Sequence, residues 1–329
     1  MGATHFSGPL YNGGVPIIGS GGGPTRFYGW WTGNAYFVDN TNGSNSNSGL
    51  EPGKAKLDLA SAITAASAGD VIYIRPKAIV SAATDPTYIT PATAANWTIP
   101  YAKYNLSVIG AGPQLGPGQI HMTYLRGHAS VTTGTYGSAT LTVNAPYTSI
   151  ENLAFHRGGN TRALVEFHGD GLTTTALNAF GSSVNNCEFR YGNASMTAGL
   201  YVVDSWYCGA YNCHFQRNNP VAIRFYGSVS TAVGNYVVGN IFDGVVADMS
   251  CYVNIAGLPD YSYIRDNFFN SAVPTAGLAK YIYNEAHVNT GLIANNYFGA
   301  DLSTVTTGIV QGTNVTVVGN FDTTAAIVA

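Results

Sequence analysis

The sequence predicts an all-β chain wound as a parallel β-helix, a solenoid of short strands. The first observation is a repeat: Phe155, Phe189, Phe215, Phe242, Phe269, Phe298 and Phe321 follow one another at intervals of 34, 26, 27, 27, 29 and 23 residues. The second is what travels with them. Three residues earlier stand Asn152, Asn186, Asn212, Gly239, Asp266, Asn295 and Val318, and five earlier stand Ile150, Val184, Ala210, Val237, Ile264, Ile293 and Thr316. The third is local: segments such as 200–203 (Leu-Tyr-Val-Val) and 221–226 (Val-Ala-Ile-Arg-Phe-Tyr) are short, β-branched and aromatic, and bounded by Gly, Asn, Ser and Pro. That is strand-and-turn punctuation without a helical period. A repeat of this length packs on its neighbours alone. Equivalent residues then stack at the strand spacing of ~4.8 Å. Phe is expected on Phe in the core, and Asn on Asn where the chain bends inward, each amide bonding the next.

Composition agrees. Only 9% of residues are charged, against 40 glycines and 22 tyrosines among 329 residues. The usual charged share is ~25%, and a flat Thr/Ser/Asn/Tyr surface with Gly turns accounts for the difference. A net charge of −3 supplies no basic field for nucleic acid. No apolar run reaches the ~20 residues of a membrane span. Of Cys187, Cys208, Cys213 and Cys251, the first and third share the position two before the repeat Phe and are expected inward on adjacent rungs. They read as stacked reduced thiols, with a disulfide as the alternative. No Cys-x-x-Cys spacing points to a metal, and no cofactor is expected.

Three segments follow in order. Residues 1–34 read as an extended Gly- and aromatic-rich arm, with an Asn12-Gly13 turn and a Gly run at 19–23 that lacks the lysine of a phosphate loop. Its apolar residues Phe6, Leu10, Ile17, Ile18, Phe27, Tyr28, Trp30 and Trp31 are costly to leave wet. They are expected either to pack on the end of the solenoid or to anchor the arm in a partner. Residues 35–76 read as strand 35–40, a polar loop, a short helix over 57–66 with Leu59, Ile63 and Ala66 on one stripe, and strand 69–76. This cap is expected to plug one open end of the coil. Residues 77–329 carry the coils, with an insertion near 82–88, and the last eight residues form an end cap or a self-association patch. The N-terminus shows no charged n-region followed by an apolar h-region. Synthesis in a host cytoplasm and release by lysis is therefore expected.

The run Tyr36-Phe-Val-Asp39, Asn47-Ser-Gly49, the Ala-rich helix and Ala68-Gly-Asp-Val-Ile-Tyr73 resembles the N-terminal cap of the pectate-lyase-like right-handed β-helix superfamily. Leu106-Ser-Val-Ile-Gly-Ala-Gly112 and Ser149-Ile-Glu-Asn-Leu-Ala-Phe155 extend the resemblance over residues 35–322. It implies the fold and leaves open lyases, glycoside hydrolases, phage tailspikes and virion surface proteins. The opening Thr4-His-Phe-Ser-Gly-Pro-Leu10 also looks like the first residues of many bacteriophage virion proteins.

Catalysis on such a scaffold needs columns of ionisable side chains on an outward face, either two carboxyls for glycoside hydrolysis or, as the resemblance implies for lyases, a base with acid-bound calcium. The repeat register brings one patch together: Glu188 beside His214, with His156, Arg190, Gln216 and Asp243 close by. Glu188, Arg190, His214 and Asp243 are the candidates if the chain is an enzyme, with Arg190 or His214 as a lyase base. The bland reading is a solvated polar patch. Glu166, His168 and Asp170 alternate and form a second group, and the loop 39–45 resembles a calcium loop with one carboxylate. Tyr191, Tyr201, Trp206, Tyr207 and Tyr211 suit either a sugar or a protein surface. The sequence leans toward a non-enzymatic virion structural protein, a capsid decoration or spike held through residues 1–34. Other capsid or tail proteins are the expected partners, with self-association, as a trimer for example. The alternatives are a tailspike depolymerase of host polysaccharide and a secreted carbohydrate-binding adhesin.

Overall fold

A computed structural model describes residues 11–12, 15–16, 33–77, 88–93, 95–111, 123–131, 136–159, 162–169, 178–190, 196–216, 221–227, 234–243, 251–257, 262–270, 280–284, 290–299, 309–310, 314–323 and 327–328. Within the first 32 residues these are two short strands, Tyr11–Asn12 and Val15–Pro16, paired antiparallel. The side chains named above as arm anchors, Phe6, Leu10, Ile17, Ile18, Phe27, Tyr28, Trp30 and Trp31, lie outside the described residues, as do Asp170, Tyr191 and most of the insertion near residue 82.

Three sheets make the coil. Sheet 1 has ten strands, from Ala35–Val38 to Asn314–Val318. Sheet 2 has nine, from Thr123–Arg126 to the terminal pair Asn320–Phe321 and Ile327–Val328. Sheet 3 has eight, from Trp97–Ile99 to Ile309–Val310. The chain visits them in the cycle 1, 2, 3 and returns one rung further on. Every pairing within the three sheets is parallel except the last, where Ile327–Val328 turns back on Asn320–Phe321. This is a right-handed parallel β-helix, the hand that parallel crossovers take.

The core repeats by rung. Phe155, Phe189, Phe215, Phe242, Phe269 and Phe298 are buried in a single stack, with successive ring centroids 5.5, 4.5, 5.2, 4.7 and 5.0 Å apart. Ile150, Val184, Ala210, Val237, Ile264 and Ile293 stack beside them from sheet 1. Sheet 3 contributes two consecutive inward residues per rung, such as Ala222-Ile223 and Tyr252-Val253.

The seventh Phe is not in the stack. Sheet 1 pairs Ile293 with Val317, not Thr316, and Tyr297 pairs with Phe321. The turn keeps its length, four residues from Val317 to Phe321 as from Ile293 to Tyr297, so Phe321 falls in the outward column of Tyr297, at 43% exposure.

The amide column also lies one residue from its expected place. Asn152, Asn186, Asn212, Asp266 and Asn295 take left-handed backbone, φ 51 to 59°. They turn the chain from sheet 1 to sheet 2, a conformation Asn and Asp tolerate and Gly takes freely. Asn186 Nδ2 donates to Asn152 Oδ1 at 2.7 Å on this turn. The buried ladder is the next residue: Asn240, Asn267, Asn296 and Asn320, each side chain donating to the following Oδ1 at 3.1, 2.9 and 2.9 Å. Each Oδ1 also accepts the backbone N–H one rung back, at 2.8 to 3.1 Å. Leu153, Cys187 and Cys213 hold the same slot on earlier rungs. All four cysteines are buried and none is in a disulfide.

The capping helix is Leu59–Ala65, shorter than the 57–66 expected because Asp58 caps it, accepting from Ser61 N at 2.7 Å. Leu59, Ala62 and Ile63 enter the common core, while Leu57 stays 37% exposed. Ala35–Val38 and Val71–Ile74 are already strands of sheet 1, so the cap is the first turn of the coil with a helix laid across its end.

Candidate functional site

Two clusters of ionisable groups stand on outward faces, and strand register builds both. On sheet 2 one outward column runs Tyr124, Ala154, Glu188, His214, Ile241, Phe268, Tyr297, Phe321. The next runs Arg126, His156, Arg190, Gln216, Asp243. The four residues singled out from the sequence are therefore brought together. Glu188, buried, accepts from Arg190 Nε through Oε1. His214 lies between two carboxylates, Nδ1 3.9 Å from Glu188 Oε1 and Nε2 3.9 Å from Asp243 Oδ2. Both distances exceed a hydrogen bond. His156 packs against Tyr88, with centroids 4.8 Å apart and the rings tilted by 52°. Its pKa is lowered, chiefly by burial, although the Arg157 carbonyl it contacts at 3.0 Å opposes the shift.

Sheet 3 carries the second cluster, around Glu166. This carboxylate is fully buried, and its Oε1 accepts from Arg162 Nη2 at 2.8 Å and lies 2.9 Å from His168 Nδ1. Burial is the largest influence on Glu166 and raises its pKa, but the His168 and Arg162 contacts together outweigh it and hold the carboxyl below its ordinary value. Tyr136 packs on His168 at 4.3 Å between centroids.

A row of rings and cations continues from Glu166 along the outward column Tyr201, Arg224, Asn254, Tyr283. The Arg162 guanidinium lies over Tyr201 at 4.6 Å, that of Arg224 is 5.5 Å from the Tyr226 ring, and Lys280 Nζ is 3.3 Å from the Tyr283 ring. Cation–ring contact at these distances is attractive.

Sequence reasoning found Glu166 and His168 but missed Arg162, Arg224, Lys280 and Tyr283. The Phe repeat fixes sheets 1 and 2, which are joined by a short turn. Sheet 3 is reached through loops of unequal length, so its register is invisible to the repeat. The aromatic group expected as one surface is divided: Tyr201 faces out on sheet 3, Tyr211 packs on Tyr236 on sheet 1 at 4.3 Å, and Trp206 and Tyr207 stand on the turn between those sheets.

The Asp39 carboxylate of the supposed calcium loop is occupied by protein donors. It accepts from Thr41 N at 2.9 Å, Asn42 N at 3.0 Å and Arg75 Nη1 at 2.7 Å. Among the described residues no group of three His, Cys, Asp or Glu is arranged to hold a metal. No helix among them is long and apolar enough to cross a membrane.

The fold has solved relatives. The chain is similar to the pectate lyase Pel9A, at a TM-score of 0.59 and 16% identity, covering 88% of this chain and 70% of that one. It is also similar to an alginate lyase from Paenibacillus sp. str. FPU-7, at 0.49 and 16%, covering 80% and 83%. A third is the ORF18 protein of Geobacillus virus E2, at 0.32 and 14%, covering 77% and 53%. With the parallel sheets described above, the likeness to Pel9A shows that the chain has the pectate-lyase-like β-helix fold. No protein-family profile matches the sequence, and no curated protein is similar to it in sequence.

Proposed function

We propose that this chain is a non-enzymatic structural protein of a bacteriophage particle, a capsid decoration or spike protein seated through residues 1–34, with the β-helix as its exposed body. The observation that carries this reading is an apolar line on sheet 2. Ile241, Phe268, Tyr297 and Phe321 stand on four successive rungs at 41, 40, 38 and 43% exposure. Phe268 and Tyr297 lie flat on each other, 4.9 Å apart and 3° from parallel. An aligned apolar strip of this kind is the core of an interface. Lateral packing against another virion chain, or another copy, covers it.

Two further observations support the reading. The opening residues 4–10 look like those of virion proteins. The best-enclosed carboxyl, Glu166, is held low, whereas a glycosidase acid needs its pKa raised. Mass spectrometry of purified particles of the phage that encodes the chain tests the proposal. It predicts the chain at a fixed copy number per particle. Its absence from purified, infectious particles overturns the proposal.

A second reading, a tailspike depolymerase, is favoured by the cation–tyrosine row on sheet 3, which suits an acidic polysaccharide of the kind pectate and alginate lyases are named for. New reducing ends or unsaturated sugars released from host surface polysaccharide would select it.

A further inference from the structure

The turn from sheet 3 to sheet 1 carries an aromatic ridge that neither cluster uses. Backbone bonds set its register: Asn105 N donates to Pro146 O, Tyr147 N to Phe180 O, and Gly181 N to Trp206 O, at 2.8, 2.7 and 2.9 Å. Tyr104, Pro146, Phe180 and Trp206 thus hold one position on four successive coils, and Asn105, Tyr147, Gly181 and Tyr207 hold the next. Tyr104, Tyr147 and Tyr207 are 52, 54 and 49% exposed, among the most exposed large side chains described. The Phe180 ring lies edge-on between Tyr147 and Tyr207, 5.4 Å from each.

Two of these tyrosines sit where tyrosine is disfavoured. Tyr147 and Tyr207 have φ of 57 and 54°, in the left-handed region. The same position elsewhere in the column is Gly69, Asn105, Gly181 or Gly234, residues that adopt it at low cost. The glycines are also needed as neighbours: a Cβ at Gly181 would lie 2.8 Å from the Tyr147 ring, and one at Gly234 would lie 2.5 Å from the Tyr207 ring. The coil therefore alternates a strained tyrosine with a glycine that makes room for its ring. Folding does not require this, since asparagine closes the same turn at position 105. Strained backbone holding exposed side chains in place is the mark of a binding position.

We propose that this ridge is a binding site for a neutral glycan strand, laid along the coil axis with its sugar rings on Tyr104, Tyr147 and Tyr207. The rungs repeat at ~4.8 Å, comparable to the advance of one pyranose unit in an extended chain. The ridge is two adjacent columns of side chains, a narrow strip suited to one sugar chain, whereas a stable protein contact needs about 800 Å² on each partner. None of the five aromatic residues bears a charge, which favours a neutral chain over an acidic one. Flat aromatic faces with hydroxyls at their rims suit the apolar faces and hydroxyl edges of sugars. The site lies apart from the sheet 3 cation row and holds for either role proposed above.

The test uses the full chain and isothermal titration with the neutral β-linked hexasaccharides of glucose and of N-acetylglucosamine, and with hexagalacturonate as the acidic counterpart. The variants are Tyr147→Asn and Tyr207→Asn, whose new residue suits the left-handed turn, so their melting temperatures are expected at or above that of the parent. A neutral hexasaccharide is expected to bind, with little dependence on salt. Each variant weakens it about tenfold, and the double variant abolishes it. The proposal is overturned if neither neutral hexasaccharide binds at millimolar concentration, if binding survives the double variant, or if hexagalacturonate binds more tightly. It is also overturned if the double variant dissociates an oligomer while the parent binds no saccharide, which would make the ridge a protein contact.

Discussion

Phe321 pairs in register with Tyr297, one position away from the slot beneath Phe298. The last turn itself is regular: Gly319 takes the left-handed position, φ 64°, that Asn295 holds one rung earlier. Asn320 then falls in the amide ladder and Phe321 points to solvent, while the next residue, Asp322, is buried. The repeat Phe stands one residue early in this coil, which sends its side chain to the opposite face, and Asp322 in its place ends the aromatic stack.

The stack and the surface line should therefore answer differently to substitution. Phe215 is 1% exposed and lies between Phe189 and Phe242. Phe215→Ala is expected to cost about 3–5 kcal/mol of stability. Phe321→Ser is expected to change it by no more than about 0.5 kcal/mol. Denaturant titration of both variants checks this, and comparable losses would remove the assigned register.

The amide ladder predicts one loss and one gain. Asn267 donates to Val237 O at 3.0 Å and Asn296 Oδ1 at 2.9 Å, and accepts from Asn240. Asn267→Ala leaves these buried groups unsatisfied, at about 2–3 kcal/mol. Cys213 occupies the same slot one rung before Asn240, with its Sγ taking the Cys187 N–H at 3.4 Å. Cys213→Asn extends the ladder by one rung and is expected to raise the melting temperature, by about 1 kcal/mol in stability. Paired thermal melts decide both.

Glu166 sets an acid limit. Its folded pKa is lowered from the ordinary value. Its stabilising contribution is therefore present above the unfolded value of ~4.3 and is lost as pH falls through the lower folded value. Glu166→Gln leaves Arg162 without its carboxylate and should cost about 2–3 kcal/mol at neutral pH. The variant's stability should also fall less steeply below pH ~4.3 than the parent's. Urea midpoints measured across the acid range distinguish this from a uniform loss.

The buried thiols should be inert. Burial pushes Cys208 up to about 12 and Cys213 well above its ordinary value. The thiolate is the reactive form, so alkylation at mildly alkaline pH is expected to modify neither cysteine until denaturant is added. Mass spectrometry of labelled native protein checks this. Rapid modification of Cys208 would show that the core around it opens.

The coil is readable in the sequence because the turn between sheets 1 and 2 is short and constant. A single motif, apolar–x–Asn–x–x–Phe, therefore sets the core stack and puts Glu188 beside His214. Two features lie beyond its reach. The inward amides are the residues after the conspicuous asparagines, because the conspicuous ones bend the backbone and cannot also face the core. The Arg162–Glu166–His168 cluster and its row of tyrosines and cations depend on sheet 3, whose register follows from loops of variable length. Of the ridge, Trp206 and Tyr207 stand out in the sequence as aromatic residues, but their alignment with Tyr147 and the strain do not, since φ is not written in residue type.

Under the proposed structural role, the outward carboxylates of this coil serve its structure and its contacts, not catalysis. The most direct measurement is product release: the purified full chain incubated with surface polysaccharide from the phage host, followed by reducing-end and unsaturated-sugar assays. The account predicts no product above that from a heat-denatured control. Release of oligosaccharides that disappears in Glu188→Gln or His214→Ala would contradict it.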